Sequence, residues 1–144
     1  MAKTLFTAHA KAKGGRNGRS ETIDGKLSFE LALPGSKKSG ITTNPEELFA
    51  CGYSACFGSA LEYVAGLENI SVADAEVSAD VSLNQGDDGF SISVVLRVVI
   101  PTLDEAVAVK LVEAAHRVCP YSKATRSNIA VLIEANGATV ATVA

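Results

Sequence analysis

Tryptophan is absent, methionine occurs once, and aromatic residues fill only 6% of the 144 positions. Core and pocket must therefore be built mainly from aliphatic side chains. The 47% hydrophobic content supplies them and excludes a disordered chain. No run reaches the roughly 18 consecutive apolar residues of a membrane span. The opening MAKTLFTAHAKAK lacks the apolar core of a secretory signal. A basic excess is missing too, since 13 Lys and Arg face 16 Asp and Glu, for a formal charge of −3. Phosphate backbones need a concentrated basic surface, so nucleic acid is not an expected partner. The one basic cluster, Lys11, Lys13, Arg16 and Arg19, is small and broken by Gly14, Gly15 and Gly18. These absences predict a cytoplasmic protein that engages neither membrane nor nucleic acid.

Cysteine is scarce, with three residues. Structural disulfides are rare in the cytosol, so a cysteine pair there is more often catalytic, redox-sensing or metal-binding. Metal binding fits poorly: there is no C-x-x-C, and His9 and His116 lie far apart in the chain. His116 precedes Cys119 by three positions and reads as structural, at the end of a helix. No metal is expected.

What is present reads as one domain over residues 1–144, without repeat or linker. Residues 3–12 allow a strand. Asp24-Gly25 suits a hairpin turn, followed by a half-buried strand on Leu27, Phe29, Leu31 and Leu33. Pro34–Thr43 reads as a loop. At 44–66 the pattern turns helical, with Asn44 as cap, Pro45 at the first position and Glu47 completing a capping box. This helix is apolar or small on nearly every face, which predicts burial all round. Alternation returns at Val77, Ala79, Val81 and Leu83, then a turn at 86–89. A long strand follows from Phe90 to Ile100, its two-faced apolar character marking it as central. Thr102 and Glu105 form a second capping box before a helix near 103–117. Strands at 129–134 and 138–143 flank an Asn136-Gly137 turn. Hairpins dominate, so the expected class is α+β with antiparallel sheets rather than a doubly wound parallel fold.

Two segments carry the chemistry: NPEELFACGYSACFGSAL at 44–61 and AHRVCPYSKATRSN at 115–128. Together with Gly14-Gly15-Arg16, they make the chain resemble the organic hydroperoxide resistance proteins, the Ohr branch of the Ohr/OsmC superfamily, along essentially its whole length. The resemblance implies an Ohr/OsmC-like fold, with antiparallel sheets packed around a buried central helix in an intertwined homodimer. It implies a thiol peroxidase that reduces alkyl and lipid hydroperoxides to alcohols. Cys56 would be the peroxidatic cysteine, Cys119 the resolving one, and Arg16 and Glu46 the catalytic arginine and glutamate. No cofactor is implied. The reductant would be an external lipoyl dithiol, such as dihydrolipoamide or a lipoylated protein.

The residue types suit these roles. A thiolate attacks a peroxide, yet burial in an apolar helix raises a thiol's pKa. A guanidinium can offset that burial, and a carboxylate can hold it by a bidentate pair. Cys119 would trap the sulfenic acid as a disulfide before over-oxidation. Glu46 and Cys56 lie ten residues apart, about 15 Å along a continuous helix. Arg16 bridges part of that gap, or the chain bends, or Glu46 serves the Cys56 of a second subunit; the last is favoured because a dimer interface would also bury the helix. Phe49, Tyr53, Phe57 and Tyr121 are candidate walls of an apolar pocket that favours organic peroxides over hydrogen peroxide. Cys51 occupies a position where the family has a small residue, and reads as packing. Arg19 and Arg126 read as surface or structural. Two rivals remain, an osmotically induced sister enzyme with broader peroxide preference and a non-enzymatic redox sensor. The latter lacks any evident partner-reading element.

Overall fold

A computed structural model describes residues 1–140. The last three positions of the strand expected at 138–143 thus lie outside the described residues. The chain divides into two compact units, meeting between Leu48 and Phe49.

The first unit is a four-stranded sheet of β1 (Ala10–Lys13), β2 (Arg19–Thr22), β3 (Ser28–Leu31) and β4 (Thr42–Thr43), in that order. Residues 3–9 form no strand, so the first strand is shorter than expected. A single 3-10 turn, Gly15–Asn17, joins β1 to β2. It requires glycine: Gly14 has φ 81°, and a Cβ on Gly18 would stand 1.8 Å from the Lys13 carbonyl oxygen. The Asp24-Gly25 hairpin forms, closed by the Thr22 N–H donating to Leu27 O at 2.9 Å. The stretch read as a loop ends instead in β4, which pairs parallel with β3.

Helix α1 spans Pro45–Leu67. Asn44 Oδ1 caps it, accepting from Glu47 N–H at 2.8 Å, while the Glu47 carboxylate accepts from Thr43 Oγ1 at 2.7 Å. Tyr53, Phe57, Ala60, Leu61, Val64 and Ala65 recur at helical spacing as its buried face. The opposite stripe of Cys51, Ala55, Ser59 and Tyr63 is exposed. Burial of the helix among the described residues is therefore one-sided, and the expectation of burial all round does not hold within them.

The second unit holds β5 (Glu76–Gly86), β6 (Gly89–Val99), β7 (Val131–Ala135) and β8 (Ala138–Val140) in one sheet, in that order. β6 is internal, as its two-faced apolar pattern requires. Helices α2 (Glu105–Val118) and α3 (Pro120–Thr125) separate β6 from β7. A helical crossover permits parallel pairing, and β6 and β7 are indeed parallel. Each sheet thus adds one parallel pair to the antiparallel ones expected. The cap of α2 is Asp104, whose carboxylate accepts from Val107 N–H at 2.9 Å. Thr102, the expected cap, instead donates to Asp74 at 3.2 Å. The core joins α1 residues from Tyr53 on with Val94, Leu96, Val98, Leu111, Val112 and Ile133. Among the described residues, no helix is long and apolar enough to cross a membrane.

Candidate active site

Cys56 sits on α1 beside the buried Phe57 and is itself partly exposed. Cys119 lies at the junction of α2 and α3, ending one helix and preceding the next. Its N–H donates to Ala115 O at 2.8 Å, and its carbonyl accepts from Lys123 N–H at 3.0 Å. Pro120 occupies the first position of α3, where its missing N–H costs nothing. Pro120 thus opens a short helix that the sequence pattern, with its helix near 103–117, does not predict. The junction places Cys119 Sγ 3.7 Å from Cys56 Sγ, with no bond between them. A disulfide needs about 2.05 Å, so bonding requires only a small further approach.

Burial pushes the Cys56 thiol above its ordinary pKa, and its hydrogen bond and charge contact with Cys119 push the same way. The backbone N–H of Tyr121 opposes them by favouring the thiolate. A thiol whose folded pKa is raised contributes stability below its unfolded value, about 8.5, which is lost as pH rises through the folded one. Cys56→Ala should therefore flatten the alkaline arm of stability against pH, measured by urea unfolding of the reduced protein. An unchanged arm would show that Cys56 does not set it.

A buried hydroxyl cluster fastens α3 to α1. Tyr53 Oη lies 2.9 Å from Ser122 Oγ and 3.2 Å from Thr125 Oγ1. Tyr53 precedes Cys56 by three residues and Ser122 follows Cys119 by three, so this contact lies one turn from the sulfur pair on each helix. Ser122 and Thr125 are not among the residues the sequence singles out, because a six-residue helix shows no readable period. Tyr53→Phe should cost about 1–3 kcal/mol, because it strands a buried hydroxyl partner. Urea unfolding of Tyr53→Phe, Ser122→Ala and the double variant checks this, and additive losses would dissolve the cluster as a unit.

Of the four expected pocket walls, Phe49 and Tyr121 border a cavity of about 310 Å³, together with Ile92, Ala124 and Ile129. Tyr53 and Phe57 do not: both are 0% exposed and belong to the core. The Phe49, Tyr53 and Tyr121 rings nevertheless cluster, with centroids 5.7–5.9 Å apart. Gly52 makes room for this, since a Cβ there would lie 3.1 Å from Tyr121 Oη. Cys51 is exposed, so within this chain it does not pack as expected.

In the first unit, Arg16 projects from the 3-10 turn and meets Glu46, at the start of α1. Two parallel hydrogen bonds join them, Nη1 to Oε2 and Nη2 to Oε1, both at 2.7 Å. The Arg16 hydrogen bond holds the Glu46 carboxyl below the usual carboxylate range. This is a bidentate, charge-assisted pair. His116 is 4% exposed, and burial, then Arg126 and Arg117, press its pKa below the ordinary value. Arg126 donates from Nη2 to the His116 carbonyl at the end of α2, a structural contact as expected.

A family model described as OsmC-like protein matches residues 35–134. The organic hydroperoxide resistance protein OhrB of Bacillus subtilis (strain 168) is 52% identical over 133 residues, covering 90% of this chain and 97% of that one. Its crystal structure superposes with a TM-score of 0.85 at 48% identity, covering 91% and 98%. The organic hydroperoxide resistance protein of Xanthomonas axonopodis pv. citri is 44% identical over 136 residues, covering 91% and 94%. With a family model over residues 35–134 and relatives this similar over nearly the whole chain, the chain belongs to the OsmC-like family, in its organic hydroperoxide resistance branch.

Proposed function

We propose that this protein confers resistance to organic hydroperoxides by reducing them to alcohols at Cys56. The observation that carries the reading is the 3.7 Å approach of the Cys56 and Cys119 sulfurs. Two thiols held in contact at a helix junction are poised for reversible disulfide formation.

The Cys56 thiolate attacks the terminal oxygen of ROOH. An S–O bond forms, the O–O bond breaks, and the alkoxide takes a proton to leave as ROH. Cys119 sulfur then attacks the Cys56 sulfenic acid, an S–S bond forms, and the hydroxyl departs as water with the Cys119 proton. An external dithiol of the dihydrolipoamide type, free or on a lipoylated protein, gives two electrons and two protons and becomes a disulfide. Arg16 lowers the thiolate's cost and steadies the charge on the departing oxygen, while Glu46 holds Arg16. The cavity at Phe49 and Tyr121 takes the apolar tail of the peroxide. No metal or organic prosthetic group takes part, and the protein acts in the cytoplasm.

The working form is a homodimer. The exposed, small-residue stripe of α1 supports this, because such a face permits close approach of a second copy. The ten-residue helix spacing of Glu46 and Cys56 favours an Arg16–Glu46 pair that serves the partner's cysteine.

The test is mass spectrometry of the reduced protein after one equivalent of an organic hydroperoxide. A Cys56–Cys119 disulfide that dihydrolipoamide reopens is expected. A stable crosslink to Cys51, or no disulfide, would overturn the mechanism.

A further inference from the structure

We infer that Lys38 is a positioning residue for Arg16, acting through the backbone of the turn that carries it. The inference rests on the reading that Arg16 activates Cys56.

The turn is built to be mobile unless tied. Gly14, Gly15 and Gly18 surround Arg16, and glycine has the largest conformational freedom to lose. The internal hydrogen bonds are few: Asn17 N–H to Gly14 O at 3.4 Å and Gly18 N–H to Gly15 O at 3.1 Å. Glu46 grips the Arg16 guanidinium, and among the described residues its carboxylate makes no hydrogen bond to this backbone. A guanidinium held only at its tip, on a loose turn, is poorly placed.

Lys38 supplies the missing tie. Its Nζ donates to Asn17 O at 3.2 Å and Gly18 O at 3.4 Å, the two carbonyls that follow Arg16. It also reaches Leu31 O at 3.2 Å and Glu30 Oε2 at 3.0 Å, both on β3. One ammonium, with three N–H donors, thus faces four oxygens and links the turn to the neighbouring strand. The Leu31 N–H adds a backbone bond to Gly18 O at 2.8 Å, which Lys38 reinforces from the side-chain direction. Glu30 is not left unpaired without Lys38, because Arg19 Nη1 also donates to it at 3.0 Å. Loss of Lys38 therefore chiefly frees the turn. Its neighbour Lys37 makes no hydrogen bond or ion pair among the described residues, and serves as a control of equal charge in the same loop.

The experiment compares Lys38→Met, Lys38→Arg and Lys37→Met in the full chain. The first measurement is hydrogen exchange at the Gly18 and Leu31 amides. The second is the single-turnover rate of Cys56 oxidation by tert-butyl hydroperoxide across pH. Lys38→Met should speed exchange at both amides, slow oxidation at neutral pH by about 10- to 100-fold, and move the apparent thiol pKa upward. Lys38→Arg should restore part of each, and Lys37→Met should match the unsubstituted protein. A Lys38→Met protein that matches Lys37→Met in oxidation rate and pH profile overturns the inference while leaving the peroxidase reading intact. An unsubstituted protein that does not react with the peroxide overturns both, whatever the exchange data show.

Discussion

Cys56→Ser should abolish peroxide turnover, and Cys119→Ser should fail in a different way. Serine at position 56 keeps the shape but removes the nucleophile, since the thiolate is the species that attacks a peroxide oxygen. Loss of an obligate nucleophile costs about a thousandfold or more in rate. Multiple-turnover consumption of an organic hydroperoxide with dihydrolipoamide measures it. Cys119→Ser keeps the Cys56 nucleophile and the Tyr121 N–H that favours its thiolate. The first equivalent of peroxide should then be reduced at near the normal rate. With no sulfur 3.7 Å away to trap it, the sulfenic acid would persist and climb to the irreversible sulfinic and sulfonic forms. Mass spectrometry under excess peroxide distinguishes the two variants. Equal, normal turnover by both would remove the sulfur pair from the mechanism.

Arg16→Met should lower the rate of Cys56 oxidation by about 100- to 1000-fold, the usual range for deleting one charge-stabilising donor. The need is set by burial, which disfavours the Cys56 thiolate and which the single Tyr121 N–H opposes. Glu46→Gln should have a smaller effect of the same kind, because it keeps a hydrogen-bonding partner but removes the charge. The pair should also carry a signature at low pH. Glu46 has a depressed pKa, so its contribution is complete above the unfolded carboxylate value and is lost as pH falls through the folded one. Acid inactivation in that window should disappear in Glu46→Gln. A pre-steady-state rate–pH profile decides both points, and an Arg16→Met protein with an unaltered profile would separate the guanidinium from the chemistry.

Local signals made much of the fold legible. Asn44-Pro45 marked the start of α1, and period-two alternation located β5 and β6 along with the turn at Gly86–Gly89. What failed was non-local or short. The parallel pairing of β6 with β7 depends on where α2 and α3 return the chain, which no window of residues records. The six residues of α3 are too few for a helical period to emerge. Phe49 and Tyr53 look alike on the sequence, four residues apart in an apolar run. Only packing separates the cavity wall from the core residue whose hydroxyl meets Ser122. The motifs pointed to residues that the structure pairs, Arg16 with Glu46 in one unit and Cys56 with Cys119 in the other. Lys38 left no trace, because a side chain that binds backbone carbonyls leaves no pattern in the residues it holds.

The unequal exposure of the two sulfurs gives thiol exchange a direction. Cys119 has 0% of its surface accessible, whereas Cys56 is partly open. An attacking thiolate must approach one sulfur in line with the bond it breaks. If the two cysteines join where they now stand, an incoming dithiol meets Cys56 and expels Cys119. The transient adduct then sits on position 56, and Cys119 serves as leaving group rather than target. Under the proposed mechanism, a reductant that must reach Cys56 would enter by the same side as the peroxide, and the two substrates would take turns there.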